Sequence, residues 1–217
     1  MCGIAGQILD QADPQTISRT REAVTGMVDA LAHRGPDQNG LHVIGDAVFG
    51  HARLSIVDLS QNGRQPMTNE DGSLMVSYNG EIYNAPTLRD ELISDHEFRS
   101  TSDTEVLVHG YEAWGFSGLL ERLEGMFAFA LWDGNLGHCF MARDIFGIKP
   151  LYYRHDGRCL AFASEVKGLL ALYGEPPQPN PSAILRSSIG LIPFGAGCIA
   201  KFYASEWHEH RMMCRCK

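Results

Sequence analysis

The run Phe127-Ala128-Phe129-Ala130-Leu131-Trp132 is apolar at every position, and the triplet Asp133-Gly134-Asn135 follows it. The triplet has the chemistry of a hairpin turn, after which the chain returns through Cys139-Phe140-Met141. A strand that is apolar on both faces must be covered on both sides. This part of the sequence therefore predicts an antiparallel strand pair inside a layered structure.

Two further hairpins have the same form, with a Gly-Asp or Asp-Gly turn between short apolar runs. They join residues 41–44 to 47–49 and residues 151–153 to 159–163. One helix is predicted to begin at Asp13-Pro14, a cap followed by a first-turn proline. A second is predicted at Ser102-Asp103-Thr104-Glu105, which has the spacing of a capping box. Helices outside two antiparallel sheets accommodate all these elements, so the sequence predicts an α+β fold.

The chain has 217 residues, enough for one large domain or at most two small ones. Eighteen basic and twenty-six acidic residues give a net charge of −8, and no basic run is interleaved with aromatic residues. Nucleic acid is therefore not expected as a partner. The sequence has no apolar run long enough to cross a bilayer and no secretory signal. Its six cysteines contain no C-x-x-C pair. We expect a cytoplasmic protein with reduced thiols.

The amino terminus reads Met1-Cys2-Gly3. Removal of Met1 would leave Cys2 with a thiol nucleophile and a free α-amine that can act as its base. The two groups titrate at about 8.5 and about 7.7–8.0, both within reach of neutral pH. A lone Met-Cys pair more often marks a structural cysteine, so the functional interpretation depends on residues further along the chain.

Three polar clusters interrupt the strand pattern. Arg53 follows one strand, and the planar fork of an arginine suits a carboxylate, although a surface ion pair is the commoner role. Asn79-Gly80 follows the run Leu74 to Ser77 and is either a simple turn or a pair of donors for an oxyanion. Asp103 stands at the predicted helix start, where it either complements the helix dipole or binds a cation.

Together with the amino terminus, these clusters resemble the glutaminase domain of the class II, N-terminal nucleophile, glutamine amidotransferases. The resemblance is most specific to glutamine-hydrolysing asparagine synthetases and runs from Met1 to about Ala171. It is carried by ordered motifs at residues 1–4, 32–37, 51–58, 78–84, 102–105, 125–129, 142–153 and 162–165.

The resemblance implies a four-layer α/β/β/α sandwich of two antiparallel sheets and hydrolysis of the side-chain amide of L-glutamine to glutamate and ammonia. It implies that Cys2 is the nucleophile, that its α-amine is the base, and that Asn79 and the Gly80 N–H form the oxyanion hole. Arg53 would bind the α-carboxylate of glutamine and Asp103 its α-ammonium. The other predicted pocket residues are Leu54, Ile56, Val57 and Glu81.

The resemblance implies no metal and no cofactor for the glutaminase step. ATP and magnesium belong to the synthetase domain of the family, which accepts the ammonia. This chain lacks that domain's Ser-Gly-Gly-x-Asp-Ser loop. We therefore expect a separate ammonia-accepting domain or subunit; the oligomeric state stays open.

The predicted glutaminase domain covers residues 2–175, followed by a Pro-rich linker at 176–181 and a tail at 182–217 that does not resemble the family. A metal site at His208, His210, Cys214 and Cys216 is disfavoured, because the spacing fits no standard zinc site. The segments 33–37 and 144–150 are interpreted as loop architecture and contact with an acceptor domain.

Three alternatives stay open. The first is a class II amidotransferase for another acceptor, against which residues 34–37 and 54–58 argue. The second is a non-catalytic, glutamine-binding remnant, which the unusual tail suggests. The third is an amidase of the wider superfamily acting on other amides, which the presence of both Arg53 and Asp103 disfavours.

Overall fold

The computed structural model describes residues 1–173 and, further along the chain, the backbone of two short strands at Tyr203–Ala204 and Met212–Cys214. The predicted linker at 176–181 lies outside the described residues. So do most of the predicted tail and the side chains of its four histidine and cysteine candidates.

The described residues form the following strands and helices, each kind numbered in chain order. The strands are β1 Gly3–Leu9, β2 Gln38–Ile44, β3 Ala47–Arg53, β4 Met67–Thr68, β5 Leu74–Ile82, β6 Gly125–Asp133, β7 His138–Arg143, β8 Tyr152–His155, β9 Cys159–Ala163, β10 Tyr203–Ala204 and β11 Met212–Cys214. The helices are α1 Pro14–Ala30, α2 Ala85–Leu92, α3 Thr104–Arg122 and α4 Val166–Leu170.

The strands form two sheets. Their orders are β10-β8-β9-β1-β3-β2 in the first sheet and β11-β7-β6-β5-β4 in the second. All strand pairs are antiparallel. The two short strands from the predicted tail extend one edge of each sheet, beside β8 and β7.

Three apolar clusters separate four layers of structure. One lies between the second sheet and helices α2 and α3, with Leu107 and Phe129 fully buried in it. The next fills the space between the two sheets, and the third lies between the first sheet and helices α1 and α4. The predicted four-layer α/β/β/α sandwich of two antiparallel sheets is confirmed.

The hairpin of β6 and β7 occupies the position predicted from its composition. Phe127, Phe129 and Leu131 face the helices, whereas the residues between them face the other sheet. The other two predicted hairpins form β2–β3 and β8–β9. Helix α1 begins as predicted, with Pro14 as its first residue and the Asp13 carboxylate accepting a 2.8 Å hydrogen bond from the Thr16 N–H.

Two local predictions were wrong. The strand predicted to end at Ser77 continues to Ile82 and pairs with β6 along its whole length, which excludes the turn left open as one alternative for Asn79-Gly80. The capping box at 102–105 does not form. Ser102 Oγ accepts from the Thr104 N–H at 3.2 Å, and the Glu105 carboxylate instead accepts from the N–H groups of Arg99 and Ser100.

Candidate active site

A pocket of about 200 Å³ opens where β1 begins and β3 ends, since these strand termini are paired through Gly3 and Ala52. This volume is below the range of about 300–1,000 Å³ that is common for drug-sized ligands, so the pocket suits a small molecule. Every residue that the sequence predicted for the site lines this pocket: Cys2, Arg53, Leu54, Ile56, Val57, Asn79, Gly80, Glu81 and Asp103.

The thiol of Cys2 lies against the backbone at the end of β3. Its Sγ atom accepts a hydrogen bond from the Leu54 N–H at 3.4 Å. Burial raises the pKa of the thiol above its ordinary value, while the Leu54 N–H, the amino terminus, Arg53 and Arg34 act in the opposite direction. The thiol is therefore protonated at neutral pH, and a nucleophilic role requires a base beside it.

Arg34 holds the backbone of Cys2 in place. Its Nε donates to the Cys2 carbonyl oxygen at 2.9 Å, and its Nη1 donates to the Glu165 carboxylate at 2.7 Å. Glu165 lies just after β9. The residue before it, Ser164, accepts a 2.9 Å hydrogen bond through its Oγ from the Ile4 N–H. This buried side chain therefore braces the residue predicted as nucleophile, which agrees with the loop architecture predicted for residues 33–37, while contact with an acceptor domain stays a prediction.

The side chain of Asn79 points between the two sheets. Its neighbour on the same face of β5, Ser77, donates its hydroxyl to the Gly50 carbonyl of β3 at 3.1 Å. The Asn79 side chain is only 2% exposed, and its Nδ2 has no hydrogen-bond partner among the described residues. A buried amide without a partner is costly, so this donor is available to a bound ligand.

The N–H of Gly80 faces the open edge of β5. Phe127, which pairs with Gly80, directs its backbone groups to Asp144 instead. Its carbonyl oxygen accepts from the Asp144 N–H, and its N–H donates to the Asp144 carboxylate. The Gly80 and Phe127 pairing is thus of the non-hydrogen-bonded kind, and the Gly80 N–H points away from β6. A Cβ atom at this position would collide with the Met126 carbonyl oxygen and lie 2.7 Å from Tyr78 Cε2, so only glycine fits.

His51 fixes the peptide that precedes Asn79. Its Nε2 lies 3.0 Å from the Tyr78 carbonyl oxygen, and its ring is completely buried. Burial lowers the pKa of His51 to about 4, so the ring is neutral at pH 7 and must carry its proton on Nε2 to donate to that carbonyl. This bond supports the backbone on which both predicted oxyanion donors lie.

Arg53 is held by the loop that follows it. Its guanidinium donates to the Asp58 and Ser60 carbonyl oxygens and to Gln38 Oε1, the last two at 3.1 and 3.2 Å. The Asp58 carboxylate in turn accepts from the Thr101 N–H at 2.9 Å. The loop is therefore tied to the segment before Asp103, and the two predicted binding charges share one support.

Asp103 accepts two hydrogen bonds through one carboxylate oxygen. Its Oδ2 is 2.7 Å from the Tyr78 hydroxyl and 3.0 Å from the Ile82 N–H. Tyr78 is itself held by Gln65, whose Oε1 accepts from the Tyr78 N–H at 2.7 Å. Tyr78 stands in the motif at residues 78–84, but the sequence indicates no role for it, because no local sequence pattern links residues 78 and 103.

The other pocket residues were assigned no role from the sequence. They are Met1, Asp58, Gly63, Gln65, Tyr78, Ser102, Thr104, Met126 and Lys149. Met1, Asp58, Tyr78, Ser102, Thr104, Met126 and Lys149 stand within the motifs that carried the resemblance, and that proximity was the one available signal. Gln65 and Gly63 had none, since they reach the pocket through the path of the loop after β3.

One group of metal-ligating side chains occurs within the described residues, apart from the pocket. His96, His109 and Glu112 have ligand atoms within 4.8 Å of one another. Glu112 Oε2 lies 3.0 Å from His109 Nδ1, and the two imidazole rings are stacked at a centroid distance of 4.7 Å. His96 Nδ1 also lies 3.6 Å from Glu112 Oε2, so contacts of both rings with this carboxylate account for the arrangement.

Apolar side chains are exposed on two loops that each contribute residues to the pocket lining. Ile56 and Val57 are 73% and 60% exposed on the loop after β3. Ile145 and Phe146, on the loop after β7, are 58% and 87% exposed. Beneath them, buried Asp144 accepts hydrogen bonds from the Ile148 and Lys149 N–H groups, as predicted for loop architecture. Within the described residues, no helix is both long enough and apolar enough to span a membrane.

Residues 1–191 match a family model described as a glutamine amidotransferase domain. The chain is 47% identical over 180 residues to asparagine synthetase [glutamine-hydrolyzing] 2 of Bacillus subtilis, covering 83% of this chain and 24% of that relative. It is 39% identical over 183 residues to the amidase chyE of Penicillium rubens, covering 81% of this chain and 27% of that protein. The chain thus spans about a quarter of the length of these curated relatives.

Among solved structures, the fold is similar to that of the glutamine phosphoribosylpyrophosphate amidotransferase from B. subtilis. The TM-score is 0.65 at 22% sequence identity, and the match covers 79% of this chain and 43% of that one. At this identity the likeness concerns the fold alone.

Proposed function

The chain belongs to the glutamine amidotransferase domain family, and we propose that it hydrolyses the side-chain amide of L-glutamine to glutamate and ammonia. The observation that carries this proposal is the pocket itself. A thiol at the chain's second residue, the Asn79 Nδ2 donor, which has no partner among the described residues, and Gly80, whose N–H points away from β6, line one small cavity.

The proposed mechanism begins with removal of Met1, which is 56% exposed at the pocket and therefore accessible to an aminopeptidase. The freed α-amine of Cys2 takes the thiol proton, directly or through a water molecule, as the thiolate attacks the amide carbon. The raised pKa of the buried thiol makes this base necessary. The carbon–sulfur bond forms as the carbonyl oxygen becomes an oxyanion.

Asn79 and Gly80 stabilise that oxyanion. Their donors are fixed in place before the reaction, because β5 is paired along its length and His51 holds the preceding carbonyl. The α-ammonium group of Cys2 then protonates the leaving nitrogen, and ammonia departs as the thioester forms. Water, deprotonated by the same amine, hydrolyses the thioester to glutamate and restores the thiol.

Recognition of glutamine follows from opposite charges in the pocket. Arg53 binds the α-carboxylate and Asp103 the α-ammonium, while Glu81 and the loop residues Leu54, Ile56 and Val57 close over the substrate. One cation and one anion at a fixed separation select a free amino acid and aim its amide at the thiol.

The ammonia acceptor is proposed to be an ATP-dependent synthetase domain or subunit of the asparagine synthetase type. The 47% identity to a glutamine-hydrolysing asparagine synthetase supports it, as do the exposed apolar residues Ile145 and Phe146 on the loop from which Lys149 lines the pocket. ATP and magnesium would bind to that partner rather than to this pocket, and the glutaminase step would need no cofactor.

A second candidate function is hydrolysis of an amide other than glutamine. The 39% identity to a fungal protein named as an amidase favours it. The pairing of Arg53 and Asp103 in one pocket favours glutamine instead, because an amide without an amino acid head group would leave both charges unpaired.

The test is glutamate release from L-glutamine by protein whose mass shows Cys2 as the first residue, measured beside Cys2→Ala. We expect turnover that the substitution abolishes. Glutamine binding without turnover in the processed protein would instead indicate a non-catalytic binding module. Faster hydrolysis of acyl amides that lack an α-amino group would favour the amidase.

A further inference from the structure

Tyr78 is anchored at three points around the pocket. It is 3% exposed, its N–H donates to Gln65 at 2.7 Å, and its carbonyl oxygen lies 3.0 Å from His51 Nε2. Its hydroxyl is therefore presented from a fixed backbone, and the group it meets is the carboxylate of Asp103 at 2.7 Å.

The hydrogen bonds of Asp103 are divided unequally between its two oxygens. Oδ2 accepts from both the Tyr78 hydroxyl and the Ile82 N–H. No hydrogen bond or ion pair to Oδ1 occurs among the described residues. Asp103 lines the pocket, so its unoccupied oxygen is the acceptor left for a substrate cation.

The Tyr78 hydroxyl stays a donor throughout the physiological pH range. Burial raises its pKa, and so do the charge and the hydrogen bond of Asp103. A carboxylate that receives two donors on one oxygen loses the freedom to rotate, which fixes the direction of the other oxygen.

We propose that Tyr78 is a positioning residue that makes the pocket specific for amides with a free α-ammonium group, by orienting Asp103 so that Oδ1 meets that cation. This inference rests on the function proposed above. Tyr78 acts through Asp103 and does not contact the reacting amide. Its effect belongs to substrate binding and discrimination rather than to the chemical step.

The phenylalanine variant separates the hydroxyl from the ring. A Cβ atom at Gly80 would lie 2.7 Å from Tyr78 Cε2, so the ring packs directly against one predicted oxyanion donor. Tyr78→Phe keeps that packing and removes one hydrogen bond to a charged group, which is worth roughly tenfold or more in binding.

Tyr111 provides a matched control. Its hydroxyl also donates to a carboxylate, that of Asp133, at 2.7 Å, and it does not line the pocket. Tyr111→Phe therefore removes the same kind of bond at the same length from the same protein. A general loss of stability would appear in both variants, whereas a substrate effect would appear in one.

The experiment measures steady-state hydrolysis of L-glutamine and of 4-carbamoylbutanoate, the same amide without its α-amino group, by the full chain with Cys2 first. We expect Tyr78→Phe to raise the KM for glutamine about tenfold and to leave kcat within about twofold. Its preference for glutamine over the deaminated amide, as a ratio of kcat/KM, should fall about tenfold. Tyr111→Phe should change neither quantity.

An unchanged glutamine KM and an unchanged preference in Tyr78→Phe would overturn the proposal, as would an equal loss of kcat on both amides. Isothermal titration with L-glutamine separates this failure from failure of the proposed function. If the unmutated chain binds glutamine without hydrolysing it, a tenfold weaker affinity in Tyr78→Phe still supports the positioning role, and an equal affinity refutes it. If the unmutated chain neither binds nor hydrolyses glutamine, both proposals fall.

Discussion

The pocket has two walls of opposite construction. The rear wall consists of strands β1, β3 and β5, where Cys2 and Asn79 are held by sheet pairing and by buried polar contacts. The front wall is the loop after β3, where Ile56 and Val57 are mostly exposed. Groups that react need fixed geometry, and groups that admit a substrate need room to move. The groups proposed to react thus lie on the fixed rear wall, and the groups proposed to admit the substrate lie on the exposed front wall.

The largest expected effect is the difference in stability between variants of the rear wall and variants of the front wall. Phe49, which lies on β3 in the rear wall and pairs with Gly6 of β1, is completely buried, whereas Val57 in the front wall is 60% exposed. Phe49→Ala should lower the free energy of unfolding by about 3–5 kcal/mol. Val57→Ala should change it by no more than about 0.5 kcal/mol. Urea unfolding of both variants measures this, and equal losses would remove the distinction between the regions.

Substitution of Asn79 tests whether the rear wall acts on the reaction. Asn79→Ala should lower kcat by roughly 10²–10³ and leave the KM for glutamine nearly unchanged, because the donor acts on the developing oxyanion. The control is Asn84→Ala, since Asn84 makes structural hydrogen bonds to Arg122 and Glu124 away from the pocket. Full turnover in Asn79→Ala would mean that Asn79 is not an oxyanion donor.

The ion pair of Glu165 and Arg34 predicts a pH dependence of the rear wall. Burial alone would raise the pKa of Glu165, but the hydrogen bonds from Arg34 and His33 outweigh it and hold the pKa at about 2. A lowered pKa stabilises the fold above the unfolded value of about 4.3, and this contribution disappears as the pH falls towards 2. Glu165→Gln should therefore be about 1–3 kcal/mol less stable than the unmodified chain at about pH 6.

That difference should shrink at about pH 2.5. Urea midpoints of the two proteins at both pH values provide the measurement. Asp58 and Glu105 also have a pKa near 2, but they titrate in both proteins and cancel in the comparison. A difference that is independent of pH would show that Glu165 does not titrate as an ion-paired carboxylate.

The smallest expected effect concerns the front wall. Ile56→Ser should leave stability within about 0.5 kcal/mol and raise the KM for glutamine only a few-fold, because the side chain lines the pocket from an exposed position. Leu59→Ser is the matched control, since Leu59 is 77% exposed on the same loop but does not line the pocket. Enzyme kinetics and thermal melting check both variants. A loss of stability in Ile56→Ser would show that the loop supports the fold.

The run Phe127–Trp132 predicted a strand pair inside a layered structure, because a strand that is apolar on both faces must be covered on both sides. The resemblance implied the number and kind of layers, and the structure places helices on one side of this strand and the other sheet on its opposite side. The residues of the pocket were predicted through the family resemblance, and the structure places all of them around one cavity. Their roles stay predictions. The turn that the Asn79-Gly80 dipeptide favours when taken alone does not form, since pairing with β6 overrides that local preference.

Long-range polar contacts could not be predicted from the sequence. Arg34 donates to the Cys2 carbonyl oxygen across 32 residues and to Glu165 across 131, and Tyr78 reaches Asp103 across 25. No periodicity or spacing encodes such pairs, because they depend on how the two sheets stack. The sequence therefore indicates which residue types are present for the chemistry, and the fold determines what orients them.

The most direct test of the account is covalent labelling of the processed protein with a glutamine analogue that carries an electrophilic diazoketone in place of the amide. We predict one adduct per chain, located on Cys2 by peptide mass mapping and prevented by excess L-glutamine. An adduct on Cys139 or Cys159 that glutamine does not prevent, or no adduct at all, would contradict the assignment of this pocket as a glutamine site with Cys2 as its nucleophile.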